Sequence, residues 1–435
     1  MDPVNAATLI LIGGFFALML LRVPIAFSLG VSTFLCMAYL GLEPMGMMLK
    51  MADGIDSPSL LAIPFFILAG QLMADGGIAI KLINLANVFV GFIRGGLAMV
   101  NVLASMFFGG ISGSSVADTA SIGSILIPMM KKKGYDTDFS VGVTIMGSTQ
   151  GIVIPPSHNV IIYSLAAGGG VSIGKLFLGG VIPGIMIGVS LMAVSYILSV
   201  KRNYPRERRL PLREAARVFF DALLGLFTAV IIVGAVIFGF ATATESAALA
   251  VVYAFVITFF VYRQVSLKRF PAMLTASVKT IAMVMLLIAC ASAFGFMLSY
   301  LGAPDRVAGA LAGVTQNRIA MLLLINVMLL ALGCIMDMAP LILIVTPVLL
   351  PIVTSPAMGL DPVHFGIIMM INLGMGLCTP PVGSTLFVGC AIGKISIEKM
   401  ARSLWPFYLA MLAVLLLVTF VPDITMWLPN LVVAD

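Results

Sequence analysis

Apolar runs near the length of a membrane span recur from one end of this chain to the other. They fall at about 5–21, 24–41, 58–74, 80–93, 180–200, 219–240, 244–262, 281–300, 305–314 and 405–421. None shows the ten-residue alternation of a membrane barrel, so the pattern predicts helices. Two mixed stretches, LEPMGMMLKMADGID (42–56) and SLKRFPAMLTASVK (266–279), read as amphipathic arms lying along the membrane interface. Two pairs of runs are too short for ordinary crossings. Runs 95–108 and 116–130 flank GGISGSS (109–115); runs 318–332 and 341–353 flank GCIMDMAP (333–340). Fourteen residues of helix reach only about 20 Å, against a hydrocarbon core of about 30 Å. These pairs are expected to be re-entrant hairpins, at about 95–133 and 317–354, with polar tips near the midplane.

Each hairpin is followed by an apolar run that enters a double proline. The first passes through GSTQGIVIPPSHN (147–159) and the second through GMGLCTPPVGST (374–385). Proline lacks the N–H and clashes with the preceding turn, so both helices are expected to break there, within about 139–168 and 363–392. The landmarks repeat at a nearly fixed interval. Pro156 and Pro381 are 225 residues apart, Gly76 and Gly302 are 226 apart, and Gly109 and Gly333 are 224 apart. The chain therefore reads as a duplication: residues 1–200 and 218–435, joined by the basic linker KRNYPRERRLPLREAAR (201–217).

That linker carries seven Lys or Arg against two Glu, which assigns it to the cytoplasm. Counting spans from it puts KKK (131–133), Arg22 and 263–269 inside, and TATES (242–246 with Ala241), the 170s and 355–362 outside. The two halves then point in opposite directions, with both termini periplasmic. Inverted repeats carrying broken helices are the signature of a secondary transporter. The expected fold class is an all-α polytopic membrane protein of two inverted repeats.

Composition agrees. Of 435 residues, 61% are hydrophobic and 10% charged, with mean hydropathy +1.16; a soluble domain carries about 25% charged residues. The net charge of +6 follows the short loops and does not signal nucleic acid. The five cysteines form no CxxC pair and read as packed thiols. The first residues lack a basic leader region and a small-residue cleavage site, so they read as a retained first span.

A broken helix deep in a membrane offers two opposite chemistries. Carbonyls freed at a half-helix C-terminus can ligate a hard cation, and a half-helix N-terminus attracts an anion. The first half supplies Ser112, Ser114, Ser115, Asp118, Ser148 and Thr149; the second supplies Asp337, Thr379, Ser384 and Thr385. One cation site per half follows from the repetition. After Pro156, residues Ser157, His158 and Asn159 open the next half-helix at its anion-attracting end; Pro381, Ser384 and Thr385 hold the mirror position. Asp118 is read either as functional or as a helix cap, His364 as structural, and Glu245 as a helix-start residue.

RVPIAFSLG (22–30), FFILAGQLM (65–73), GGISGSSVADTASIG (109–123), GIVIPPS (151–157), ATATESAA (241–248) and TPPVG (379–383) occur in order along nearly the whole chain. In this combination the chain resembles the large, DctM-like membrane subunits of tripartite ATP-independent periplasmic (TRAP) transporters. The resemblance implies sodium-coupled import of an organic anion: a C4-dicarboxylate, sialic acid or another sugar or keto acid. It implies a periplasmic substrate-binding protein, a small four-helix membrane subunit supplied as a separate chain, and a bacterial inner-membrane location. It also implies an elevator, in which hairpins and broken helices move against a scaffold of outer spans and arms. Carried over, one sodium site uses Ser112, Gly113, Ser114 and Ser115 with Ser148, Thr149 and Gly151. The other uses Gly333, Met336 and Asp337 with Gly376 and Thr379. His158 and Asn159 depart from the apolar pair common in the family after IPPS.

Other classes fare worse. The chain has no HExxH or GxGD motif and no P-loop, which argues against a zinc or aspartyl hydrolase and against an ATPase. A proton-coupled carrier or a passive anion channel of similar topology is the alternative.

Overall fold

The computed structural model describes residues 3–207, 209–315 and 317–432. The two chain ends, whose sidedness the charge pattern predicts, and Arg208 of the basic linker lie outside the described residues. Every regular element among the described residues is a helix. Among the described residues, six helical stretches are long and apolar enough to cross a membrane: Pro3–Leu20, Pro58–Asp75, Ile173–Lys201, Leu212–Ile237, Ala243–Tyr262 and Leu267–Tyr300; the pair Ile397–Ser403 and Trp405–Phe420, bent by 56°, makes a seventh if it is one span.

Leu212–Ile237 shows how such a span seats itself. Its buried residues Ala222, Gly225, Thr228 and Ile232 form one stripe of mainly small side chains, while Phe220, Phe227 and Val230 are exposed. Small residues let helices approach closely, and the large apolar ones face the lipid. The next span begins with a capping box. Thr242 Oγ1 accepts from Glu245 N, and Glu245 Oε2 accepts from Thr242 N at 2.8 Å, which makes Glu245 a helix-start residue.

The two arms differ. The first is a separate helix, Pro44–Ile55. The second is not: Leu267–Arg269 leads straight into one 31-residue helix, Phe270–Tyr300. Its sequence turns from mixed to apolar without a helix breaker after Pro271, so nothing ends the helix at the interface.

The first hairpin is Gly96–Ser112 and Ser115–Lys132; the second is Arg318–Gly333 and Met338–Val353. The helices run further into the tips than their polar residues suggest. Gly109, Gly110 and Ser112 stay helical, and only Gly113, at φ +62°, makes the left-handed turn. Both ends of the first hairpin meet the basic linker. Gly95 N donates to Pro205 O at 3.1 Å, and Lys133 pairs with Glu207 at 3.2 Å. Arg202 joins the same end, paired with Asp136 at 2.9 Å and Asp138 at 3.3 Å. Burial pushes the Tyr204 hydroxyl up to about 12, so it stays protonated and donates to Asp136.

The linker follows the helix Ile173–Lys201, whose 29 residues cover about 43 Å. At the other end of that helix, Gly179 lies against Val363 and Ile367, and Tyr163 OH donates to Pro362 O at 2.6 Å. Pro362 follows the second hairpin after a short loop, and both ends of that hairpin line one cavity, with Thr315 and Met321 facing Pro351 and Ile352. The hairpins thus enter the fold from opposite ends. A short helix, Asp423–Val432, follows the last apolar run and packs on Ile173–Lys201; its amphipathic ten residues are too few to register as a span in the sequence.

Candidate functional site

Both broken helices part at their double prolines. The first runs Thr137–Ser148 and Gln150–Val153, then resumes at His158–Ala166; the second runs Pro362–Gly376 and resumes at Ser384–Gly393. In each, the bond between the two prolines is cis.

Each hairpin crosses its broken helix at a pair of glycines. A Cβ built on Gly151 would fall 2.6 Å from Gly109 Cα, and one on Gly376 would fall 2.6 Å from Gly333 C. No side chain fits between backbones this close. Above the crossings the tips meet the breaks. Gly113 lies against Pro156 O and the backbone of Ser157 and His158. In the second half Val382 N donates to Cys334 O at 3.0 Å, and Ser384 Oγ donates to Asp337 Oδ1 at 3.2 Å. A further pair braces each crossing from one side. Asn101 donates to Thr144 Oγ1 at 2.6 Å, and Asn372 donates to Asn326 Oδ1 at 2.8 Å. Asn101 and Asn326 are 225 residues apart, a landmark the motif-based reading passed over.

The serines of the first tip divide. Ser112 and Ser114 are spent within the turn: Ser114 N donates to Ser112 Oγ at 3.4 Å, and Ser114 Oγ accepts from Ala117 N, capping the next helix. The cap is therefore Ser114 and not Asp118. Ser115 turns inward and is buried. Its Oγ lies 2.7 Å from Ser148 Oγ and 2.9 Å from Thr385 Oγ1, while Thr119 Oγ1 donates to Ser148 Oγ at 2.8 Å. The proton directions follow. Ser148 donates to Ile145 O at 2.7 Å, so its one proton is used. Ser115 must then donate to Ser148, and Thr385 to Ser115.

Thr149 takes no part in this cluster; its hydroxyl donates to Met146 O at 2.7 Å and borders Met411. Asp118 is fully buried. Its Oδ1 accepts from Ser105 at 3.3 Å, and its Oδ2 has no partner among the described residues. Ser157 is buried at the start of its half-helix with an unpartnered hydroxyl; Asn159 is buried, and His158 is partly exposed.

In the second half Asp337 is exposed and begins the helix Met338–Val353. Met336 points its side chain into an apolar cavity with Phe15, Phe294 and Leu341, which leaves only its backbone for a polar ligand. Thr379 Oγ1 donates to Met375 O at 2.8 Å, and Cys378 O accepts from Tyr408 OH at 2.5 Å. His364 bonds Val418 O at 2.8 Å and is structural. Of the two residues expected to face substrate after Pro381, Ser384 stays with Asp337, but Thr385 is drawn into the first half's hydroxyl group. Thr119 was not singled out from the sequence; its spacing of four from Ser115 puts both on one helix face and was the available signal.

Residues 12–424 match the family described as "Tripartite ATP-independent periplasmic transporter, DctM component". The chain belongs to this family. The isethionate TRAP transporter permease protein DctMQ of Oleidesulfovibrio alaskensis is 41% identical over 95% of this chain and 65% of its own length. The C4-dicarboxylate TRAP transporter large permease protein DctM of Rhodobacter capsulatus is 37% identical over 98% of this chain and 99% of its own. The crystal structure of the YdaH transporter of Alcanivorax borkumensis superposes with a TM-score of 0.63 over 86% of each chain, at 13% identity, a likeness of fold. The family is one of transporter components, not enzymes.

Proposed function

We propose that this chain is the large permease subunit of a sodium-coupled secondary importer of an organic anion in a bacterial inner membrane. The observation that carries the reading is the pair of junctions at which each hairpin tip meets a broken helix, the first buried and the second open at Asp337. Each junction gathers backbone carbonyls and hydroxyls, the ligands a hard cation takes. The half-helix starts at Ser157 and Ser384 offer N–H groups to an anion. The named relatives, for isethionate and for C4-dicarboxylates, share a small substrate with anionic groups, and that chemistry suits these half-helix starts. The partners are a small four-helix membrane subunit and a periplasmic substrate-binding protein.

The cycle proposed is an elevator. The hairpins and broken helices are bonded to one another across the halves, through Ser115–Thr385 and Tyr163–Pro362, so they are built to move as one body. The spans of the outer layer and the arm Pro44–Ile55 form the scaffold. Residues 1–200 and 218–435 are the two inverted repeats, and both termini are periplasmic. Energetics suit cation coupling. Each positive charge entering gains about 2.3 kcal/mol per 100 mV, so two or more sodium ions offset the cost of bringing in a dianion.

Counterflow tests the carrier. In proteoliposomes holding the assembled three-part complex, unlabelled C4-dicarboxylate or isethionate inside is expected to accelerate entry of the labelled anion. Entry indifferent to the anion inside would identify a pore.

A further inference from the structure

The hydroxyl group at the first junction has a property that its members do not show singly. Ile145 O accepts from Ser148, Ser148 accepts from Ser115 and from Thr119, and Ser115 accepts from Thr385. Every hydroxyl proton is turned inward, and what remains on Ser115, Thr119 and Thr385 is lone pairs. The three side chains are buried. A cluster that offers oxygens and withholds protons suits a cation and repels an anion. Thr385 comes from the second broken helix, while Ser115, Thr119 and Ser148 come from the first half.

We propose that Thr385 and Thr119 belong to the first cation site, so that one sodium ion is held by oxygens from both halves of the chain. Thr385 is then a cation-facing residue and not a substrate contact. Its neighbour Ser384 stays on the other face with Asp337, at the second junction. Adjacent residues of one half-helix thereby face the two junctions. An ion that fixes Thr385 also fixes the start of the half-helix to which the anion is offered, which links cation occupancy to anion binding without direct contact. The inference rests on the sodium reading above. It names oxygens that reading left out and removes one from the anion's side.

The test is a sodium titration of thermal stability on the purified full chain, at constant ionic strength against choline, in wild type and in Thr385→Val, Thr385→Ser, Thr119→Val and Ser124→Ala, the last an exposed hydroxyl of the same hairpin helix that donates to Ser121 O. Removing one oxygen from the site is expected to raise the sodium concentration at half-effect by about tenfold in Thr385→Val and Thr119→Val. Thr385→Ser keeps the oxygen and restores the wild-type midpoint; Ser124→Ala leaves it unchanged. A purely structural hydroxyl cluster lowers the melting temperature in choline without moving the sodium midpoint, and that result in both valine variants overturns the proposal. If Thr385→Val does not fold, Thr119→Val carries the same test on the hairpin side. A wild-type chain with no sodium-specific shift overturns the sodium reading and this inference together; a wild-type shift that both valine variants retain overturns this inference alone.

Discussion

Gly376→Ala is expected to abolish uptake by the assembled transporter and to lower the stability of the purified chain. The added Cβ falls 2.6 Å from Gly333 C and 2.7 Å from Gly333 O, and both are backbone atoms that cannot swing aside. The second hairpin must therefore lift from its broken helix. Overpacking of this kind costs about 1–3 kcal/mol. The larger effect is on function, because the same crossing sets the distance between tip and break. Val382 N to Cys334 O and Ser384 to Asp337 are the bonds that a lifted hairpin loses. Gly151→Ala is the matching change in the first half, where the new Cβ would meet Gly109. Gly374→Ala is the control: it lies one turn fraction away, and its nearest neighbour would be the flexible end of Ile152 at 3.5 Å. Uptake assays beside thermal melts distinguish the two sites from the control. Wild-type uptake in both crossing variants would remove the tight crossings from the mechanism.

Asp337→Ala is the second large effect. The carboxylate is exposed at the tip and pairs with Ser384 alone among the described residues. Its loss leaves no buried charge unpaired, so the protein is expected to insert and fold. Interactions with a charged group contribute about 1.5–3 kcal/mol, which corresponds to roughly a 10- to 150-fold loss of affinity for a cation at the second junction. Sodium-dependent uptake in Asp337→Ala is therefore expected to fall to background at sodium concentrations that saturate the wild type. Normal uptake in a variant that reaches the membrane would remove Asp337 from the site.

Much of this arrangement is legible in the sequence, for identifiable reasons. Proline cannot continue a helix, so the breaks at Pro155–Pro156 and Pro380–Pro381 declare themselves. Basic residues stay on one side of a membrane, so KKK at 131–133 and the linker at 201–217 are expected together, and Lys133 does pair with Glu207. The spacing of about 225 residues aligns the halves. Tertiary approach is what the sequence hides. Gly109 and Gly110 look like turn residues, but they are helical because a close crossing needs the missing side chain. The second arm looks amphipathic, but it continues a long helix because no breaker ends it. Thr385 follows a double proline like Ser157 does, and by that analogy it belongs with the anion. Only packing shows that its hydroxyl faces Ser115, 270 positions away in sequence. Thr119 and Asn326 were passed over because single hydroxyls and amides in apolar helices more often serve local packing.

The most direct test of the account is accumulation of a labelled C4-dicarboxylate or isethionate in proteoliposomes holding the three-part complex, with an inward sodium gradient and choline or potassium in its place as controls. Concentrative uptake that needs the sodium gradient, and that collapses when the gradient is dissipated, is the predicted result. Accumulation driven equally well without sodium, by a proton gradient alone, would contradict the sodium coupling on which the two junctions have been interpreted.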